Sequence, residues 1–240
     1  MSYVDLAFLV TGRSIPADHG YALYSAISQH IPSIHLPPTS PDSGETPDTA
    51  PTLPIAVHPI NGRLMGDRTL ALTIESRLII RIESVLIGEI LPLAGKQLRI
   101  DGGTIQVGTL EIRPLKPAPR LYSRLVTIKG FLEPGPFLEA VARQLAALGI
   151  KGVPGLLKRQ GEKSFEGRSG LEDDRSPFIR RTIRIRDKEV VGYALEVREL
   201  SADDSIRLQE NGLGGRRHFG CGIFVPTKGT SDECFHSFTG

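Results

Sequence analysis

An α+β fold of two tandem βαββαβ units is what this 240-residue chain predicts, on three observations. The second half alternates extended apolar runs with two helical stretches, in the order strand, helix, strand, strand, helix, strand. The first half follows the same order less cleanly. Between them lies "RPLKPAPRL" (Arg113–Leu121), whose three prolines mark a linker. Domains are therefore expected at 1–117 and 118–240, with their sheets side by side and a cleft between. The βαββαβ order is the ferredoxin-like one. No residue-by-residue repeat accompanies the duplicated pattern.

In the first half, "YVDLAFLVTG" (Tyr3–Gly12) reads as a buried strand. Ile15-Pro16 with Asp18 reads as a helix start, and Tyr21, Leu23, Tyr24 and Ile27 follow at helical spacing until Pro32. "LPPTSPDSGETPDTAPTLP" (Leu36–Pro54) has the composition of a mobile loop. "IAVHPI", "TLALTI" and "SRLIIRIE" are extended runs, and "SVLIGEILPLAG" is a short helix ending at Gly95, with Pro92 weakening its last turn. "QLRIDGGTIQVG" is a hairpin turning at Asp101-Gly102.

The second half restarts with the strand "RLVTIKGF". "GPFLEAVARQLAALGI" is the clearest amphipathic helix, with Phe137, Val141, Leu145 and Leu148 on one stripe. A Gly- and Lys-rich loop (Lys151–Gly170) leads to "FIRRTIRIRDKEVVGYALEV", a hairpin turning near Asp187-Lys188. "SADDSIRLQENG" is a helix capped by Ser201 and stopped by Gly212, and "HFGCGIFVP" is the last strand.

Composition excludes more than it selects. Net charge is +2, which alone names no partner. The two cysteines, Cys221 and Cys234, form no CxxC pair, which fits a reducing cytosol and no zinc site. The N-terminus lacks the basic region of a signal peptide, and no apolar run approaches the ~18 residues a membrane span needs. The chain reads as soluble and cytoplasmic, with neither a Walker loop nor a dinucleotide fingerprint.

Charge placement is more informative. Arg175, Arg180, Arg181, Arg184, Arg186 and Lys188 crowd the hairpin, with Asp187 as the acid among them. Strand alternation sends Arg180, Thr182, Arg184 and Arg186 to one face, and Arg181, Ile183 and Ile185 to the other. Lys151, Lys158, Arg159, Lys163 and Arg168 lie nearby in sequence. A solvated hairpin is the plainer reading of such a run. A row of like charges that also adjoins a Gly-Arg loop points instead to a polyanion such as RNA. Aromatics are scarce here, which favours contacts to phosphate and helical shape over base stacking.

That loop is "NGLGGRRHFGCGIFVP" (Asn211–Pro226). Gly212, Gly214 and Gly215 would let its backbone pass close under a phosphodiester, and Arg216 and Arg217 would hold phosphates. A tight helix-to-strand turn with solvated arginines is the alternative.

"GLGGRRHFGCGIFVP" resembles the signature loop of the RAMP superfamily of CRISPR proteins. "IPADHGYALYSAISQHIPSIH" resembles the first helix of its repeat-processing endoribonucleases, especially the cyanobacterial and myxobacterial type. "RLVTIKGF" and "RTIRIRDKEVVGYALEV" resemble the same subgroup, so the resemblance covers all but Leu36–Pro54. It implies cleavage of CRISPR precursor RNA within the repeat, without metal or other cofactor. A ribose 2′-hydroxyl attacks the adjacent phosphate, leaving a 2′,3′-cyclic phosphate and a 5′-hydroxyl. The implied partners are repeat RNA and its guide-RNA product, with other subunits of a CRISPR effector complex as a further class and no membrane. A non-catalytic guide-RNA-binding subunit of such a complex is the alternative, and a general RNA-binding module is a third reading.

Such chemistry needs a general base, often histidine, and cations for the phosphorane charge. His35, just past the first helix, matches the position of the family's catalytic histidine and is the first candidate. His19, at the helix start, is the second, and also resembles an early histidine that closes the helix N-terminus. His30 and His58 follow, and packing or capping is the plainer role for at least two of the four. His218 could contact phosphate, and His236 has no expected role.

Overall fold

The computed structural model describes residues 2–34, 54–158 and 177–227. The chain opens with strand β1 (Tyr3–Gly12), a short β2 (Ser14–Pro16) and helix α1 (Gly20–Ser28). Short strands β3 (Ala56–Val57), β4 (Arg63–Leu64) and β5 (Thr69–Ala71) lead to β6 (Arg77–Glu83). A one-turn helix α2 (Ile87–Ile90) sits between 3-10 turns, and β7 (Gln97–Ile100) and β8 (Gly103–Pro114) close the first half. The second half comprises β9 (Arg120–Val126), α3 (Pro134–Ala147), β10 (Val153–Leu156), β11 (Arg180–Ile185), β12 (Lys188–Arg198), α4 (Ala202–Asn211) and β13 (Val225–Pro226).

Both halves build the same sheet. The first runs β3-β6-β1-β8-β7, so its second, third, first and fourth strands lie side by side, with β7 added at the edge. The second runs β10-β12-β9-β13, again second, third, first, fourth, with β11 paired to the far end of β12. This is the ferredoxin-like arrangement twice over. A third small sheet, β2-β5-β4, caps the first.

Several boundaries differ from those the sequence predicts. Ile15-Pro16 does not open a helix: it is β2, pairing with β5, and α1 begins at Gly20 after His19. The first strand of the second half starts at Arg120 and stops at Val126, several residues earlier than "RLVTIKGF" suggests. β8 continues to Pro114, so only residues 115–119 connect the two sheets' strands. The Lys151–Gly170 stretch contains β10. The basic hairpin turns on Arg186-Asp187, one residue earlier than expected; Ile185 pairs with Lys188 and Arg186 takes a φ of 53°. "HFGCGIFVP" contributes a 3-10 turn and only two strand residues. Other elements match: Asp101-Gly102 makes the β7–β8 turn, Ser201 Oγ accepts the Asp204 N–H at the start of α4, and Gly212 follows its end.

The two cores are not segregated by halves. The first is built from β1, β6, α1 and β8 but also takes in Leu125, Ile183, Phe219 and Cys221 from the second half. Burial pushes the Cys221 thiol up to about 12, so it packs as a small apolar group; Cys234 lies outside the described residues. The second core lies between β9, β12 and helices α3 and α4, around Phe137, Tyr193, Leu195 and Phe224.

One polar group crosses between the halves. Arg81 faces Asp5 across the β6–β1 ladder and is 1% exposed. Its Nε and Nη2 donate to the two Asp5 carboxylate oxygens at 2.7 and 3.0 Å. Its Nη1 donates to the Gln209 and Phe224 carbonyls at 2.9 and 2.8 Å, in the last turn of α4 and just before β13. Burial alone would raise the Asp5 carboxyl, but the Arg81 hydrogen bonds and charge outweigh it and hold the pKa below the ordinary value. Arg81→Met strands a carboxylate and two carbonyls, and should cost about 3–5 kcal/mol in urea unfolding. Asp5→Asn on top of Arg81→Met should recover part of that loss, because no uncompensated charge remains. A wild-type midpoint for Arg81→Met would contradict this role.

Candidate functional site

Helix α1, the glycine loop and the inner face of the second sheet meet at one place. His19 organises it. Its ring is 2% exposed, Nδ1 lies 2.8 Å from the Pro16 carbonyl, and Nε2 accepts the Ile60 N–H at 2.9 Å. An N–H facing Nε2 requires the tautomer with the proton on Nδ1. Burial lowers the His19 pKa, and the hydrogen bond to Pro16 opposes that only in part. Both nitrogens are committed to backbone, so His19 is a neutral pin tying α1 to the segment that re-enters at residue 54. As folded, it has no nitrogen to offer a substrate. His30 lies half-buried just beyond α1. His35 follows Ile34 directly and lies outside the described residues, as do Arg159 and His236.

The chain just before His35 is held by α1: the Tyr24 hydroxyl donates to the Ile34 carbonyl. Tyr24 also meets the glycine loop, with its ring 4.9 Å from His218 and 5.3 Å from Phe219, centroid to centroid. Tyr21 lies 5.5 Å from Phe219. The approach is close because α1 begins with glycine. A Cβ on Gly20 would come within 2.4 Å of the Phe219 carbonyl oxygen.

The glycine loop is a structural seat more than an open cradle. The N–H groups of Gly212, Gly214 and Gly215 donate to the Leu208 carbonyl, Gln144 Oε1 and the Thr127 carbonyl at 2.9, 2.7 and 3.1 Å. All three N–H groups are thus committed to acceptors within the protein. Arg217 also turns inward: Nη2 donates to the Glu210 carbonyl at 2.7 Å, and Nε is buried without an acceptor. Burial, then the charge of Arg81, lowers the Arg217 guanidinium to about 10, still cationic at neutral pH. Arg216, in the left-handed region at φ 65°, remains half-exposed on the loop.

The basic hairpin is split between two faces. Arg180 and Arg184 are exposed on one, where the Arg180 guanidinium lies 5.7 Å from the Tyr193 ring centroid. Arg186 sits at the turn, its Nε donating to Tyr21 Oη at 3.2 Å, and Lys188 is exposed beside it. The Arg184 N–H donates to Asp18 at 2.9 Å, docking the hairpin onto the start of α1. Lys158 is exposed and bridges to Phe178. Arg181 points the other way, with Ile183, toward α1. There it joins Arg124 and Tyr122 of β9, which no sequence motif singles out.

A family model described as Cas6 Crispr matches residues 4–229. The chain belongs to the Cas6 family. It is 35% identical over 226 residues to the CRISPR-associated endonuclease Cas6 of Myxococcus xanthus (strain DK1622), covering 94% of this chain and 82% of that protein. A solved Cas6-related protein from Pyrococcus furiosus superimposes with a TM-score of 0.63 at 13% identity, covering 95% of this chain and 100% of that one. A RAMP protein binding different RNA substrates gives a TM-score of 0.60 at 13% identity, over 95% and 100%. At such identities the likeness is one of fold.

In this Cas6-family chain, His58 belongs to the buried cluster around Arg81 and Asp5. It is 9% exposed, and its Nε2 lies 3.8 Å from Asp5 Oδ1. Burial and then the Arg81 charge lower its pKa to about 3, so it is neutral at neutral pH and the contact is no ion pair. The unfolded chain takes a proton at residue 58 near its ordinary pKa of about 6.5, which the folded chain refuses down to about 3. The resulting stability is fully present above that upper value and is lost as pH falls, at no more than ~1.4 kcal/mol per pH unit. His19 adds in the same direction. Between about pH 7 and pH 5, His58→Gln should therefore lose less unfolding free energy than wild type. Equal losses would show that His58 does not titrate on unfolding.

Proposed function

We propose that this chain cuts CRISPR precursor RNA within the repeat and stays bound to the guide-RNA product. The observation that carries the reading is the likeness along nearly the whole chain to an endonuclease of the same family. The geometry supports it: Tyr24 of α1 joins the glycine loop to the residue that leads into His35, and the exposed Arg184 and Arg186 dock on the first turn of the same helix and the residues before it.

The reaction is a transesterification. His35 takes the proton from a ribose 2′-hydroxyl, whose oxygen then bonds to the adjacent phosphorus. The bond from phosphorus to the 5′ oxygen breaks, and that oxygen takes up a proton. The products carry a 2′,3′-cyclic phosphate and a 5′-hydroxyl, and no metal takes part. Nearby guanidinium groups offset charge building on the phosphorane. His19 acts as a positioning residue, fixing the start of α1 and the segment around Ile60. Arg180, Arg184, Arg186, Lys188 and Lys158 hold the RNA backbone from the hairpin side, with Arg159 beside them in sequence and Arg216 from the glycine loop.

Purified protein should cleave labelled repeat RNA at one site in EDTA, leaving a cyclic phosphate. His35→Ala should lose cleavage by about 100-fold or more while keeping RNA affinity and melting temperature. His19→Ala should lose thermal stability along with activity. Tight binding without cleavage by the wild-type protein would leave a guide-RNA-binding subunit and end the enzyme reading.

A further inference from the structure

Arg124 and Arg181 are two like charges held side by side, with no ion pair to a carboxylate among the described residues. Arg181 stands opposite Gly192 in the β11–β12 ladder. Gly192 puts no side chain in its way; even a Cβ there would lie 2.1 Å from the Val126 carbonyl oxygen. Arg181 therefore extends toward β9, where it shares a hydrogen bond with the Tyr122 side chain. Arg124 emerges from the same strand as Tyr122, two residues on, and hence on the same face.

Neither arginine has an ion pair with a described carboxylate. Asp18 acts on Arg124 only at a distance, and its Oδ2 already accepts the Arg184 N–H. Arg181 Nε is buried with no acceptor. Partial burial, and next the charge of Arg181, lowers the Arg124 pKa although the side chain keeps an exposed surface. Such an arrangement costs free energy in the absence of an anion. A phosphodiester supplies one negative charge and two acceptor oxygens, matching two guanidinium forks.

The position is also specific. Arg124 lines a small pocket with Asp18, His19, Thr182 and Gly220, between the start of α1 and the glycine loop. This is the face opposite the exposed Arg180 and Arg184.

We propose that Arg124 and Arg181, the latter oriented by Tyr122, clamp a single phosphodiester of the RNA on the inner face of the second sheet. The proposal rests on the RNA-processing reading above. It makes the hairpin a two-sided binder, with its outer arginines on one stretch of backbone and the inner pair on another.

The test uses full-length protein and repeat RNA carrying a 2′-deoxy nucleotide at the cut site, with binding measured across a salt series. Arg124→Gln and Arg181→Gln should each weaken binding about tenfold and lower the salt slope, by about one when both are changed. The double variant should lose less than the product of the two, because both groups hold the same phosphate. Neither change should lower the melting temperature, since each removes one of two adjacent like charges. A series of RNAs with one methylphosphonate linkage each should contain one position that weakens wild type but not the double variant. Unchanged affinity and slope in both variants, with wild type binding and cutting normally, would overturn the clamp alone. A wild-type protein that does not bind repeat RNA would overturn the clamp together with the reading beneath it. A lower melting temperature with unchanged affinity would assign the pair a purely structural role and end the proposal.

Discussion

The Arg81 guanidinium sets the relation between the two sheets. It is buried on a central strand of the first sheet, fully paired to Asp5 beside it, and its remaining donors are fixed on two carbonyls of the second half. A buried cation tolerates little displacement, because each lost partner leaves a desolvated charge or carbonyl. Apolar packing of Leu125, Ile183, Phe219 and Cys221 into the first core adds area to the junction, but area is non-directional. The arginine supplies direction and register.

That register assembles a site from both halves. The glycine loop lies under α1 because β13 and the end of α4 are anchored to Arg81. The hairpin reaches the start of α1 through Asp18, and His19 holds the same helix start to residue 60. Glycines serve this packing at the closest approaches. A Cβ on Gly222 would lie 2.0 Å from the Leu213 carbonyl oxygen, so the loop can double back on itself only without one. At these closest approaches the glycines serve protein meeting protein, and on the proposed reading the exposed arginines nearby meet RNA.

Much of the fold is legible in the sequence because its signals are local. The strand and helix periods, the Asp101-Gly102 turn and the Ser201 cap each depend on a few neighbouring residues. Where sequence and structure part, a tertiary partner overrides the local cue. Ile15-Pro16 looks like a helix start but finds β5 as a strand partner. The Asp5–Arg81 pair has a sequence signal, a lone Asp in "YVDLAFLV" and an Arg inside "RLIIRIE". An opposite pair of charges within apolar strands implies that each must find the other. The inner-face pair is harder to see, because Arg124 and Arg181 lie on different strands, far apart in sequence, and only the sheet order brings them together.

The central claim is that the RNA's own 2′-hydroxyl is the nucleophile, deprotonated from the region that α1 presents. The most direct measurement is single-turnover cleavage of a repeat RNA in which that one hydroxyl, on the nucleotide 5′ to the cut, is replaced by hydrogen. Cleavage at that position should vanish while binding affinity stays unchanged. Continued cutting at the same bond would require water or another group as nucleophile and would contradict the account.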